Sequence, residues 1–291
     1  MRISEQELAH LRELAIEITQ DAEFTPEFLA SFGERSDGNE SIPEQCPQQN
    51  VSALKAKQAM VHTWRSIFLC KEIKKQLNEK AALTPEQFFN DPEELNEHAI
   101  NRIIYQRNSY ADEAYLCFSK LLTSPRSDYA KSFGEACESV YNRECEYCIL
   151  PIESSFDGQL TSFWRLIARY GLKLTAICDV SVAKQNQTTR FALLRATPIA
   201  PLDTHRENLF FSCTIPYAQK NDTASLLYAA QCCGLTLFKI HSEDPFFATD
   251  EAGAVRLTFR ADEGDLTAFL LYLFLEHPTH TLIGFYPHLE H

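Results

Sequence analysis

The sequence has no apolar run long enough to cross a membrane. Its longest apolar stretch, residues 266–275, is too short, because a membrane-spanning helix needs about 20 residues. The amino-terminal residues also contain no apolar segment of the kind that a signal peptide requires. These absences predict a cytoplasmic protein without a membrane partner.

Positive charge is scarce as well. The chain has 27 Lys and Arg residues against 40 Asp and Glu residues, which gives a net charge of −13 at pH 7. A protein that binds nucleic acid neutralises the phosphates with a basic surface, and an acidic composition of this kind does not favour such a surface. We therefore expect no nucleic-acid partner.

Spacing typical of a zinc site is missing too. The 10 cysteines are spread through apolar segments, where a reduced thiol behaves as a small hydrophobic group. Cys145 and Cys148 have the spacing of a metal or redox pair, yet no second pair or histidine stands at zinc spacing. Cys148 also lies in a predicted strand. We expect neither a metal nor another cofactor.

Residues 1–98 are predicted to form a helical segment. Ser4-x-x-Glu7 is a capping box, and residues 33–50 are poor in apolar side chains, which predicts a linker. Residues 53–80 have the pattern of a long helix, and Thr84-Pro85-Glu86 starts a short one. We expect this segment to serve packing or assembly. Its long helix carries a basic cluster that predicts a solvated face, namely Arg65, Lys71, Lys74 and Lys75.

Residues 100–198 alternate between strand and helix patterns, which predicts one α/β lobe. At its centre, residues 148–158 predict a strand, a polar elbow and a helix that opens near Gly158. An elbow of this kind can bind a carboxylate or a phosphate at the helix N-terminus. The alternative is an ordinary turn in which Ser154 or Ser155 caps the helix. The local pattern leaves both interpretations open.

Residues 207–287 have the order βαββαβ, which predicts an antiparallel sheet backed by two helices in the ferredoxin-like arrangement. Together with the preceding lobe, this order predicts a mixed fold of the α+β and α/β classes. Residues 289–291 resemble the remnant of an expression tag and are set aside.

Two motifs carry a family resemblance. Pro151-Ile152-Glu153-Ser154-Ser155-x-x-Gly158 is followed by Thr189-Arg190-Phe191, and together they resemble the prephenate dehydratase motifs Pro-Ile-Glu-Asn-Ser-x-x-Gly and Thr-Arg-Phe. The resemblance implies the decarboxylating dehydration of prephenate to phenylpyruvate in phenylalanine biosynthesis. It implies Thr189 as the catalytic residue at the leaving group, where a proton must be supplied. The substrate-binding residues that it implies are Glu153, Ser154, Ser155, Arg190, Phe191 and Ser109.

The sequence departs from the family at three places. A glycine-rich turn is replaced by residues 106–111, and Ser154 stands where the family has asparagine. Family enzymes also have a second lobe between two strands that are separated here only by residues 180–188. The chain is therefore either a divergent dehydratase or a protein without catalytic activity that senses a small molecule or serves assembly.

The last unit resembles the ACT domain that accompanies the family. The resemblance rests on its element order and on residues 282–287, which are similar to the closing segment of that domain. It implies a homo-oligomer formed through the ACT domain and a small carboxylate ligand, either prephenate or an aromatic amino acid. The positions that correspond to the ligand motifs, with altered residues, are Asp222, Thr223, Ala224, His241 and Ser242.

Overall fold

The computed structural model describes residues 47–78, 84–89, 101–182, 187–201, 208–216, 222–243 and 253–289. The predicted capping box at Ser4 and most of the predicted linker lie outside these residues. The end of that linker was predicted wrongly, because residues 47–50 already belong to a helix. Proline suits the first helical position, where its missing N–H costs no hydrogen bond.

Two helices come first in the described chain. Helix α1 spans Pro47–Asn78 and helix α2 spans Glu86–Phe89, directly after the predicted Thr84-Pro85 start. Within the described residues, no helix combines the length and the apolar character needed to cross a membrane.

The lobe of strands and helices follows. Asn108 and Ser132 cap its first two helices by accepting hydrogen bonds from Ala111 N and Glu135 N. Strand β2 (Arg126–Ala130) was not predicted, because it is an exposed edge strand with a single buried residue and so lacks an apolar pattern. The elements are β1 (Arg102–Gln106), α3 (Ser109–Ser119), β2 (Arg126–Ala130), α4 (Phe133–Tyr141), β3 (Tyr147–Ser154), β4 (Gly158–Gln159), α5 (Thr161–Arg169), β5 (Lys173–Val182) and β6 (Gln187–Arg195).

The last unit has the predicted βαββαβ order. Its strands form an antiparallel array in the order β10 (Thr281–Leu289), β7 (Leu209–Pro216), β9 (Ala254–Arg260), β8 (Thr236–Glu243), which is the ferredoxin-like arrangement. Leu289, which we had set aside with the tag remnant, is the last residue of β10. The elements are β7 (Leu209–Pro216), α6 (Asp222–Cys232), β8 (Thr236–Glu243), β9 (Ala254–Arg260), α7 (Leu266–Glu276) and β10 (Thr281–Leu289).

Helix α1 packs across α6 and α7. Ile67 and Ile73 are buried in the same core as the apolar side chains of α7. The predicted solvated face is wrong only for Lys74, which is half-buried, whereas Arg65, Lys71 and Lys75 are exposed. Lys74 lies 2.7 Å from the carboxylate of Asp265, and Lys71 donates to the carbonyl of Cys232. These basic residues hold the helix on the last unit.

One continuous sheet joins the lobe to the last unit. The described strands follow the order β2-β1-β3-β6-β5-β10-β7-β9-β8, with β4 paired to β3. The junction is the parallel pairing of β5 with β10. The two backbones lie close together at Gly284, where an added Cβ would collide with the backbone oxygen of Leu174. The mixed sheet with helices on both faces confirms the predicted fold class.

The sheet has two distinct faces. Helices α4 and α5 cover one face of the lobe, and Phe210 and Tyr286 continue the same core onto the last unit. Helix α3 covers the opposite face of the lobe, while α6, α7 and α1 cover the opposite face of the last unit. β-Bulges in β3, β5, β8 and β10 bend the strands. The bent sheet brings Lys239 of edge strand β8 to Glu153 of β3.

Candidate functional site

The predicted strand and helix are both present, but a hairpin stands between them, so the predicted elbow that opens directly into the helix is wrong. Strand β3 runs to Ser154, the chain turns, and β4 returns antiparallel with Gly158 opposite Ser154. Gly158 has a φ of +69°, a conformation that suits glycine in a tight turn. Ser154 Oγ accepts hydrogen bonds from Phe156 N and Asp157 N, so it stabilises this turn and does not cap a helix.

Ser155 also has a structural partner. Its Oγ accepts a hydrogen bond of 3.0 Å from the backbone N–H of Thr188, and its own N–H donates to the carbonyl of Thr188. Helix α5 begins only at Thr161, and the N–H groups of Phe163 and Trp164 donate to Leu160 O. The anion site predicted at a helix N-terminus next to the serines is therefore absent from this part of the described chain.

Strand alternation separates the residues of the Thr-Arg-Phe motif. Thr189 pairs with Ser154 and Val180, whereas Arg190 pairs with Glu153 and Asp179. Successive side chains of a strand point to opposite faces. Val180 and Phe191 belong to the core under helix α3, which places Thr189 on that face and Arg190 on the other.

The predicted dehydratase residues therefore form two groups. Ser109 is the first residue of α3 and is exposed beyond the end of β1. It belongs to the face of the sheet that α3 covers, and Thr189 and Phe191 lie on the same face. Glu153 and Arg190 meet on the opposite face, where Arg190 Nη1 lies 3.1 Å from Glu153 Oε2. The structure brings the carboxylate and the guanidinium together and leaves Thr189 apart from them.

Arg190 is the centre of an ion-pair network. Its Nε and Nη2 donate to the two carboxylate oxygens of Asp179 at 2.7 and 2.8 Å, and His288 Nε2 lies 3.2 Å from Asp179 Oδ2. Burial raises the pKa of the Asp179 carboxyl, but the hydrogen bonds from His288 and Arg190 outweigh burial and hold this pKa well below its usual range. The hydrogen bond to Asp179 in turn raises the pKa of Arg190.

A pocket opens beside this network, where the bent sheet brings the lobe and the last unit together. We call it the cross-sheet pocket. The space between its side chains, including the part that is open to solvent, is about 450 Å³. Its lining is Ile152, Glu153, Gln159, Trp164, Ile177 and Arg190 from the lobe, with Phe210, Phe238, Lys239, His241, Arg256, Thr258 and Tyr286 from the last unit.

Cations and aromatic rings dominate this lining. The guanidinium of Arg256, a residue with 2% exposure, lies 3.2 Å from the centroid of the Trp164 ring, and the Trp164 indole donates to Ile152 O. Lys239 Nζ lies 2.5 Å from Glu153 Oε1. Burial, together with the charges of Arg256 and Lys239, lowers the pKa of His241 to about 4. The pocket thus combines three cationic side chains, those of Arg190, Lys239 and Arg256, with apolar walls.

Sequence reasoning missed most of the residues that form this pocket. Arg256 interrupts an otherwise apolar strand pattern, and this was the one local signal that could have identified it. Lys239 and His241 lie two positions apart on an edge strand, which is compatible with an ordinary solvated face. Trp164 has a place in the apolar pattern of its helix, so the pattern predicts only packing.

The predicted ACT ligand residues do not converge. Asp222, Thr223 and Ala224 form the start of α6, which packs on the face of the sheet opposite the cross-sheet pocket. His241 lines the pocket, and Ser242 follows it in β8, paired with Val255. Within the described part of the chain, no group of three or more His, Cys, Asp or Glu residues could hold a metal ion.

Comparison with known proteins defines the class at the level of fold. No family model and no curated protein matches the sequence. A prephenate dehydratase structure from Streptococcus mutans is similar, with a TM-score of 0.51, 16% identity, and coverage of 64% of this chain and 98% of that one. The chain therefore shares the prephenate dehydratase fold at low sequence identity.

Two further structures fall below a TM-score of 0.5. One is a prephenate dehydratase from Arthrobacter aurescens in complex with L-Phe, with a TM-score of 0.48, 12% identity, and coverage of 64% of this chain and 89% of that one. The other is GqqA, described as a novel type of quorum quenching acylase, with a TM-score of 0.48, 16% identity, and coverage of 65% and 96%. At these identities the comparison concerns the fold alone, and function must be argued from the site.

Proposed function

We propose that the chain is a small-molecule-binding protein built on the prephenate dehydratase fold, and that it binds an anion in the cross-sheet pocket without converting it. The observation that carries this proposal is the convergence of Arg190, Lys239 and Arg256 on a space with aromatic walls. Concave sites with apolar walls and a few placed charges are typical of small-molecule sites.

The position of Thr189 argues against turnover of prephenate. The dehydration needs a proton donor at the departing hydroxyl and a site that excludes water. Thr189, the residue expected to serve there, belongs to the face of the sheet that α3 covers, while Arg190 belongs to the other face. A substrate held by Arg190 would have the sheet between itself and Thr189.

Two measurements on the purified chain test this proposal. We expect no phenylpyruvate from prephenate at high protein concentration, and an increase in the melting temperature with aromatic carboxylates. Arg190→Met should abolish this increase because it removes the cation, whereas Thr189→Ala should retain it. A melting temperature that no aromatic carboxylate raises would refute the proposal.

A second candidate function is prephenate dehydratase activity. It is favoured by the similarity in fold to the Streptococcus mutans enzyme and by the retained Thr189-Arg190-Phe191 segment. Turnover of prephenate by the wild-type chain that is lost in Thr189→Ala would establish this function and exclude a purely binding role.

Oligomer formation through an ACT-type unit is a separate proposal, which light scattering on the intact chain tests.

A further inference from the structure

We infer that Glu153 occupies the anion site of the cross-sheet pocket in the free protein, and that the carboxylate of an aromatic acid displaces it on binding. This inference rests on the proposed function and adds the ligand class and the group with which the ligand competes. The site in question is the pair of cations that hold Glu153, namely Arg190 and Lys239. We call this pair the carboxylate clamp.

The clamp has the geometry of a carboxylate site. Arg190 Nη1 lies 3.1 Å from one oxygen of Glu153, and Lys239 Nζ lies 2.5 Å from the other oxygen. Charge-assisted hydrogen bonds of this kind are short and directional. A ligand carboxylate at the same place would therefore receive one bond from each cation.

Arg190 of the clamp has a second partner besides Glu153, and Lys239 is placed by the backbone of its strand. Asp179 binds Arg190 through two oxygens, which keeps the guanidinium oriented when its third bond changes partner. Strand β8 has a bulge between Leu237 and Lys239. Lys239 lines the pocket together with Phe238. Both cations are thus positioned by strands on opposite sides of the pocket.

Glu153 can leave the clamp at low cost. Its side chain retains 29% exposure and lies beside the tight turn that carries the exposed Phe156. The retained exposure lets water solvate the released carboxylate, which lowers the cost of breaking its ion pairs. The exchange of one carboxylate for another also conserves both charge-assisted bonds, so the clamp cations are never left without an anion.

The walls of the pocket favour an aromatic ligand. The Phe210 and Phe238 rings lie 4.9 Å apart in an edge contact, and Tyr286 stacks on Phe210 at 6.3 Å. Phe238 is 51% exposed on edge strand β8, so its ring gains burial when a ligand ring packs against it. An aromatic ring joined by a short link to a carboxylate fits this arrangement.

Fluorescence of Trp164 offers a direct test. The chain has 2 Trp residues, so a Trp64→Phe background leaves Trp164 in the pocket as the only indole. We would titrate this protein with phenylacetate, phenylacetamide and acetate. We expect a saturable change with phenylacetate, no change with the uncharged amide, and at least about tenfold weaker binding of acetate, which lacks the ring.

Variants of the clamp then decide the role of Glu153. Glu153→Gln should tighten phenylacetate binding by about three- to tenfold, because the amide competes poorly for two cations, and Lys239→Met should weaken it by at least about tenfold. Asp262→Asn, which removes an exposed ion pair with Arg260 away from the pocket, is the matched control and should leave the affinity unchanged.

The outcomes separate the inference from the proposed function. If phenylacetate binds but Glu153→Gln leaves the affinity unchanged or weaker, then Glu153 is only a structural link between β3 and β8, and the displacement mechanism is refuted. If phenylacetate and the other aromatic carboxylates of the melting experiment bind neither the wild-type chain nor Glu153→Gln, the proposed function fails as well.

Discussion

Arg190 shows how a single residue can join two parts of the molecule. It lies in β6 of the lobe and binds Asp179 of β5, which in turn contacts His288 of β10 in the last unit. The same guanidinium contacts Glu153, which Lys239 of β8 also holds. These ion pairs therefore connect the β5–β10 junction to the cross-sheet pocket.

His241 should make the stability of the protein depend on pH. Its pKa is lowered from 6.5 to about 4 in the folded chain by burial and by the charges of Arg256 and Lys239. As the pH falls from about 6.5 to about 4, His241 therefore binds a proton in the unfolded chain and stays unprotonated in the folded chain. We expect the free energy of unfolding to decrease over this interval.

Urea unfolding at about pH 7 and about pH 5 measures this effect, with His241→Gln as the comparison. The variant cannot take up this proton in either state, so its stability should fall less between the two pH values. If the free energy of unfolding falls equally in the wild-type chain and the variant, His241 is not held neutral in the folded chain.

At the scale of elements, the junction between β5 and β10 depends on a close approach of two backbones. Gly284 sits where a side chain on β10 would meet the backbone of Leu174. The register shifts on both sides of β10 fall next to this glycine, between Leu282 and Gly284 and between Gly284 and His288. The absence of a Cβ allows the lobe and the last unit to share hydrogen bonds here.

Gly284→Ala should destabilise the protein by about 1–3 kcal/mol, because the strands must separate to admit the methyl group. Gly134→Ala is a matched control in helix α4, where the added Cβ would have its nearest neighbour, Ser132 Oγ, at 3.8 Å. That change should be neutral or stabilising by up to about 1 kcal/mol. Urea unfolding measures both, and an unaffected Gly284→Ala variant would contradict this account of the junction.

Helix α1 should contribute directly to the stability of the last unit. Ile73 is fully buried in the core that α1 shares with α6 and α7, so Ile73→Ala should cost about 2–4 kcal/mol. Lys75→Ala, at a side chain with 71% exposure in the same helix, should change stability by less than about 0.5 kcal/mol. Equal unfolding midpoints for the two variants would mean that α1 adds no packing energy.

At the scale of the whole molecule, the sheet runs without a break from β2 to β8. The sequence predicts separate units at residues 100–198 and 207–287, and the structure joins them through backbone hydrogen bonds and through the ion pairs around Asp179. Shared backbone pairing couples the unfolding of neighbouring elements.

We therefore expect the lobe and the last unit to unfold together. In the Trp64→Phe background, the urea midpoint from Trp164 fluorescence should match the midpoint from far-UV circular dichroism. Hydrogen exchange should protect β9 and β3 to a similar degree. Two separate midpoints would show that the junction is weaker than its hydrogen bonds suggest and that the units behave as independent domains.

Local pattern by itself determined most elements of this protein. The βαββαβ order, the helix cap at Ser132 and the long helix α1 were predicted because each depends on neighbours within a few residues. The motif around Glu153 and Arg190 also pointed to the fold class and to two residues of the cross-sheet pocket.

Tertiary structure alone decided how these elements combine. Lys239 and Glu153 are 86 positions apart in the chain, and their contact depends on bulges and on the bending of the whole sheet. The face on which Thr189 lies depends on the register of β6 against β3 and β5, since a shift of one residue would reverse it. Strand alternation by itself sets Thr189 and Arg190 on opposite faces, but only the folded chain shows that Thr189 shares the face under α3 and that Arg190 lines the cross-sheet pocket.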